Sequence, residues 1–458
     1  MTTSSFLKTH KLPIVFSLLS FALYASFAYD LVRTDFPKLL SLWFALFFLA
    51  FQLYKITKWN FKFLVVSGIA FRLVFLFAIP NLSQDFYRFI WDGRMLLEGY
   101  NPYLHLPQTF IEEGKEVIFQ AKELYEGMGE LNGSHFTNYP PLNQLCFAIA
   151  GLLAGKSILG SAVVLRLLII LADVGILFFG KRLLEALKLP AHRIFWYFLN
   201  PFIIIELTSN LHFEGVMLFF LVMSLYLLHS GKWLLAALAI AASISVKLIP
   251  LMLLPLFFWY FLRKKNGSIT LGFPKLMGFY IVTGLACILL FAPFFSTAFI
   301  NNYTQTVGLW FTNFEFNGSL YYIAREIGYS FRGYNEIKII GQYTPFIVIA
   351  FVLGMALLRR NDNMTKLITA MLLCLSFYYF ISTTVHPWYV ASLLVLSLFT
   401  NYRFPIVWSI VIIFSYLAYG NEGNKENLWV IALEYVFVYG MFFWEILSRK
   451  RPVLLKHL

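Results

Sequence analysis

The chain has 458 residues, of which 60% are hydrophobic and 13% charged, with a mean hydropathy of +0.72. Soluble domains run nearer about 45–50% apolar and 25% charged, so a soluble globule is excluded and an all-α polytopic membrane protein is expected. The net charge of +13 fits Lys and Arg gathered in cytoplasmic loops, or contact with anionic lipid. Nucleic-acid binding is not expected, because the basic residues are scattered over short loops.

Lys8, His10 and Lys11 precede an apolar run from Leu12, and Ser26-Phe27-Ala28 resembles a cleavage site. The run continues to Val32 and further spans follow, so an uncleaved first helix is expected. Hydropathy gives candidate spans at 12–32, 37–54, 61–80, 158–180, 194–209, 214–229, 231–247, 250–262, 274–298, 341–358, 366–383, 387–400, 403–420 and 428–448. Several fall short of the roughly 20 residues a perpendicular span needs, so about 11–14 helices are expected to cross. Cys146, Cys287 and Cys374 each lie in an apolar run. Their spacing fits no metal motif, and they read as buried small hydrophobes rather than a disulfide framework.

Residues 140–157 decide the topology. With the N-terminus inside and this segment not crossing, the basic clusters fall inside: Lys55, Lys58 and Lys62; Lys181, Arg182, Lys188 and Arg193; Lys232; Arg263 to Lys265; Arg359 and Arg360; Arg403; and Arg449 to Arg451. If it crosses, most of them land outside, against the positive-inside rule. The non-crossing reading places outside the loop 81–139, the turn Asn210–Glu214, Lys247, the loop 299–340, His386–Tyr389 and 421–427. One domain spans 1–458, with 81–139 as a first outer loop and 299–340 as a second outer cap.

Loop 81–139 opens with Ser-Gln-Asp-Phe-Tyr-Arg-Phe-Ile-Trp-Asp-Gly from Ser83. Read as a helix, it sets Asp85, Arg88 and Asp92 on one face beside an apolar band, as in a helix at a membrane surface. A carboxylate there can act as a general base, with Arg88 one turn on keeping Asp85 ionised. Charges simply facing water is the other reading. Gln108–Leu131 is expected as an amphipathic surface helix, broken at Asn132-Gly133-Ser134. Asn138-Tyr139-Pro140-Pro141-Leu142 marks a rigid turn, either a helix start or a wall of a site. His212 and Glu214, after Asn200-Pro201, suit a sugar hydroxyl or a phosphate, or form a solvated turn; they are too few for a metal. Lys247 is a lone cation in apolar sequence, a phosphate contact or a snorkelling side chain. His386-Pro387-Trp388-Tyr389 opens a segment as an aromatic belt whose His386 can face the same cavity. Arg325 is a further phosphate ligand to consider. Arg166 and Asp173 stand seven residues apart and are expected to pair inside the bundle.

Together these residues resemble a family. Gln84-Asp85-Phe86-Tyr87-Arg88, then Trp91-Asp92-Gly93, Gly99, Asn101-Pro102-Tyr103 and Tyr139-Pro140-Pro141-Leu142 look like the first outer loop of the GT-C superfamily of integral membrane glycosyltransferases. Within it they are most similar to bacterial polyprenyl-phosphate-mannose-dependent mannosyltransferases, and Asn200-Pro201, the His/Glu turn and Lys247 fit as well. The resemblance implies a GT-C-like bundle with interfacial helices in that loop. It implies a hexose, mannose first, moved from a polyprenyl-phosphate donor to a glycan or lipid-linked acceptor hydroxyl. It places the site on the extracytoplasmic face of a bacterial inner membrane. Asp85 matches the family's catalytic acid, with Asp92 second; inversion is implied and no metal or other cofactor. Arg88, Lys247, His386 and Arg325 are then phosphate ligands, and Tyr139, His212 and Glu214 contact substrate. Two extra spans precede the loop, where many members have one.

Two other classes share part of this pattern. A transporter or flippase for a lipid-linked or anionic substrate also needs many spans, but places its ionisable groups near the midplane of repeated halves. A scaffold would not need these polar groups on one face.

Overall fold

A computed structural model describes residues 11–262, 272–420 and 422–449. Lys8 and His10, Arg263 to Lys265, Asn421, Lys450 and Arg451 lie outside the described residues. The described chain is helical, its one β-type feature an isolated parallel bridge between Phe316 and Thr384.

Seven of the described helices are long and apolar enough to cross a bilayer: Lys11–Asp30, Phe36–Thr57, Ile158–Ala186, Gly272–Phe294, Ile337–Leu357, Met364–Ile381 and Leu428–Ser448. Their starts are written in the sequence. Asp35 accepts from the Lys38 amide, Ser157 from Gly160 and Asn363 from Lys366. Each satisfies an amide the helix leaves without a partner, a contribution of about 1 kcal/mol.

The other expected spans are shorter or broken, for local reasons. Segments 194–209 and 214–229 become a bent pair, Pro201–Ser209 and Glu214–His229, turned 115° at the break. Pro201 starts the first piece and its end, Ile204–Ser209, widens into a π-helix. Leu211 then takes a left-handed φ of 62°. Asn210 pins the turn by donating to the Ile205 carbonyl and accepting from the Leu82 amide. Segment 250–262 winds as a 3-10 helix over Ile249–Phe257 around Pro250 and Pro255, whose missing amides forbid a regular α-helix.

The break explains a pairing that differs from expectation. Arg166 does not meet Asp173. It donates to the carbonyls of Thr208, Ser209 and Leu76, two of which the break deprives of helical partners. Asp173 instead pairs with Arg72 at 2.7 Å, both side chains fully buried, and accepts from Tyr197.

The segment 81–139 contains the helices Asp85–Leu97, Pro107–Glu112 and Ala121–Gly133. The single amphipathic helix expected over 108–131 is therefore two, with Gln120 at a φ of 57° between them. Arg94 fixes that turn through the Phe119 and Lys156 carbonyls. Helix Asp85–Leu97 crosses the short helix Pro141–Ala154 at Gly93, where a Cβ would stand 2.2 Å from the Phe147 carbonyl oxygen. Phe89 stacks on Phe147 at 4.5 Å beside this crossing. The second cap is two helices, Thr297–Thr312 and Leu320–Arg332. Phe316, between them, exchanges backbone hydrogen bonds with Thr383 and Val385.

Candidate active site

Asp85 sits in the first turn of its helix and keeps some solvent exposure. Its amide donates to Ser83 Oγ, and Asn132 donates to its Oδ1 at 3.2 Å. Asn132 comes from the facing end of Ala121–Gly133, so this loop builds the carboxylate's support from its own two helices. Burial raises the Asp85 pKa above the ordinary carboxylate range. Lys247, the Asn132 amide and Arg33 pull it down, while Glu214 pushes it up.

Arg88 does not provide the expected counter-charge to Asp85. It donates to Asp92 Oδ1 at 2.8 Å and to the carbonyls of Asn132 and His135. Asp92 is fully buried, and its other oxygen accepts from Gln144 at 3.0 Å. The two expected neighbours thus form a closed pair that ties the helix to the stretch carrying Asn132. Buried pairs of this kind hold geometry and leave little acceptor capacity for a substrate proton.

Lys247 interrupts its helix in extended conformation, at φ −147°. Its Nζ donates to Glu214 Oε1 at 2.6 Å and stands 5.8 Å from the Tyr139 ring centroid. Glu214 is buried, and its Oε2 has no partner. Tyr139 is walled by Phe89 and Phe147. His212 stacks on Trp388 at 3.6 Å, and His386 on Trp388 at 4.5 Å. Phe316 continues this aromatic row, packing on His386 and on Tyr419. Burial, then the Lys247 charge, lowers both histidines, His386 to about 3. Both are therefore neutral at pH 7, each able to donate or accept. His212 Nε2 and His386 Nδ1 are buried without a partner.

Arg33 closes the row. It is not among the residues that the sequence pattern singles out. It follows the first helix, with its guanidinium carbon 3.3 Å from the Tyr419 ring centroid and its Nε buried without a partner. Its charge acts on Asp85 and His386. Behind it, Tyr416 donates to both oxygens of Glu206. A signal was present: Arg33 is a cation in the short connection between two long apolar helices, Lys11–Asp30 and Phe36–Thr57.

Asp85, Tyr139, His212, Glu214, Lys247 and His386 therefore share one neighbourhood. Arg325 shows no contact with it among the described residues. It binds Glu315 at 2.6 Å and Glu326 at 3.0 Å. Nor do any three His, Cys, Asp or Glu side chains converge as a metal-holding group among the described residues. The arrangement offers a partly exposed carboxylate, one cation paired to Glu214, a second without a carboxylate partner, and neutral imidazoles. That set can take a proton from a hydroxyl and stabilise a leaving anion.

An all-helical membrane bundle with such a polar cluster defines a class of polytopic membrane enzymes. Residues 17–263 match the family described as alpha-(1->6)-mannopyranosyltransferase, N-terminal domain, and the chain belongs to that family. It is a membrane glycosyltransferase of the mannosyltransferase type. A search of curated proteins found no match.

Proposed function

We propose that the protein moves mannose from a polyprenyl-phosphate donor to a hydroxyl of an extracytoplasmic glycan or lipid-linked acceptor, with Asp85 as general base. The observation that carries this reading is the partly exposed Asp85, which feels the charges of Lys247 and Arg33, within a cluster where Arg33 Nε, His212 Nε2, Glu214 Oε2 and His386 Nδ1 are buried without a protein partner. The Asp85 carboxylate takes the acceptor proton. The acceptor oxygen forms a bond to the anomeric carbon from the side opposite the phosphate. The bond from that carbon to the phosphate oxygen breaks, and polyprenyl phosphate leaves with the electron pair. Arg33 and Lys247 face the growing negative charge, and His212 and His386 offer neutral hydrogen-bonding groups to the sugar or phosphate. A transporter or flippase is the second reading, and it would show no bond cleavage.

Purified protein in nanodiscs should transfer mannose from a synthetic polyprenyl phosphomannose and not from a nucleotide mannose. Transfer from the nucleotide sugar, or movement of intact donor without cleavage, would overturn the reading.

The face follows from charge. A reporter fused after Lys188 should read cytoplasmic, together with the Arg359-Arg360 connection. An external reading would place the Asp85 cluster, at the opposite end of Ile158–Ala186, on the cytoplasmic face.

A further inference from the structure

A cavity lies far from Asp85. Tyr54, on its wall, stands in the last turn of Phe36–Thr57, whereas Arg33 lies just before that helix begins. At about 1.5 Å per residue the start of that helix and Tyr54 are separated by roughly 27 Å. The cavity has a volume of ≈ 940 Å³ and is lined by, among others, Tyr54, His192, Arg193, Trp196, Arg403 and Trp444. It runs into an apolar slot of ≈ 310 Å³, with which it shares Phe51, Tyr54, Trp196 and Ile406. The slot continues along Phe44 and Phe47, and Phe44 and Phe51 are exposed on the outside of the bundle.

The wider cavity carries more positive than negative charge, two arginines against one carboxylate. Arg193 donates to the Thr400 carbonyl and has no carboxylate partner among the described residues; neither does Arg403, which is exposed. Glu445, the acidic residue on the wall, accepts from the backbone amides of Arg403 and Phe404. The two arginine charges act on one another, and His192 feels Lys58 and Arg193 after burial. Both effects mark a positive potential. Tyr54 donates to or accepts from His192 Nδ1 at 2.8 Å, so that ring is fixed as part of the wall.

A cationic chamber rimmed by Trp and Tyr and opening into an apolar slot has the shape of a lipid with a phosphate head. We infer that this double cavity binds one anionic glycerophospholipid, its phosphodiester at Arg193 and Arg403 and an acyl chain in the slot along Phe47 and Ile406. The site is separate from the Asp85 cluster and does not depend on how that cluster works. Phosphate is the shared chemistry of a lipid head and a free anion, and the apolar slot favours the lipid.

Native mass spectrometry of the full chain decides it. The protein is exchanged from detergent into phosphatidylglycerol, phosphatidylcholine of the same acyl chains, or inorganic phosphate. One phosphatidylglycerol should be retained per chain, against little phosphatidylcholine. Arg403→Gln, at an exposed side chain, should lower that retention roughly fivefold, and Arg403→Lys should restore most of it, as expected for one interfacial cation. Equal retention of the two lipids by the wild-type chain would overturn the proposal without reference to any variant. So would unchanged retention in Arg403→Gln, or displacement of the lipid by millimolar inorganic phosphate.

Discussion

Asp85→Asn is expected to reduce mannose transfer by about 10²–10⁴-fold, the range a positioned general base contributes. The substitution keeps the shape of the side chain and the donation from Asn132. It should therefore leave the solubilised protein folded, with an unfolding temperature close to wild type. It removes the carboxylate proposed to take the acceptor proton, so the expected loss falls on kcat rather than on donor binding. The control is Asp92→Asn. That carboxylate is spent on Arg88 and Gln144 in a fully buried site. Neutralising it strands Arg88, and the expected result is destabilisation of about 3–5 kcal/mol. A folded Asp92→Asn protein with activity lost, beside an active Asp85→Asn protein, would exchange the roles of the two residues.

The second large effect concerns Arg33. A departing polyprenyl phosphate needs a cation that is free to meet it. Arg88 is held by Asp92, Lys247 by Glu214 and Arg325 by Glu315 and Glu326. Arg33 has no carboxylate partner among the described residues; its ring contact with Tyr419 leaves Nε without an acceptor. Arg33→Gln should lower kcat/KM for the lipid donor by roughly tenfold to a hundredfold, the worth of a hydrogen bond to a charged group. Arg33→Lys should restore part of it, since Lys supplies the charge without the planar fork. A second readout separates this role from a structural one. Arg33 lowers the Asp85 pKa, so its removal should move the acid limb of the pH–rate profile upward. A variant with reduced activity and an unmoved limb would make Arg33 a packing residue.

Much of this site could be read from sequence, because its residues break local rules. Asp85, Lys247, His212 and His386 are polar groups beside apolar runs, where solvation alone does not account for them. Burial of charge is costly enough that such residues stand out. What could not be read was how they pair. Arg88 and Asp92 are four residues apart, a spacing that allows a pair on any helix, yet nothing local told which carboxylate Arg88 would choose. The choice is made by carbonyls brought from Asn132 and His135. Arg166 and Asp173 show the same limit across helices. The break at Asn210 frees carbonyls that capture Arg166, and Arg72 from a different helix takes Asp173. Arg33 was passed over because its role comes from Tyr419, nearly 400 residues along the chain. The regularity of the spans was hidden for a related reason. Hydropathy reports apolar length, whereas Pro250, Pro255 and the turn at Leu211 decide whether that length is one straight helix.

The central claim is that a carboxylate with a raised pKa takes the proton from the acceptor. The most direct test is the pH dependence of kcat for transfer from polyprenyl phosphomannose, in wild-type protein and in Asp85→Asn. Below its raised pKa Asp85 is protonated and cannot act as a base. The wild-type rate should therefore fall as pH drops, along a limb lying above the ordinary carboxylate range, and the residual rate of Asp85→Asn should lack that limb. A variant that keeps both the wild-type rate and the same limb would contradict the claim.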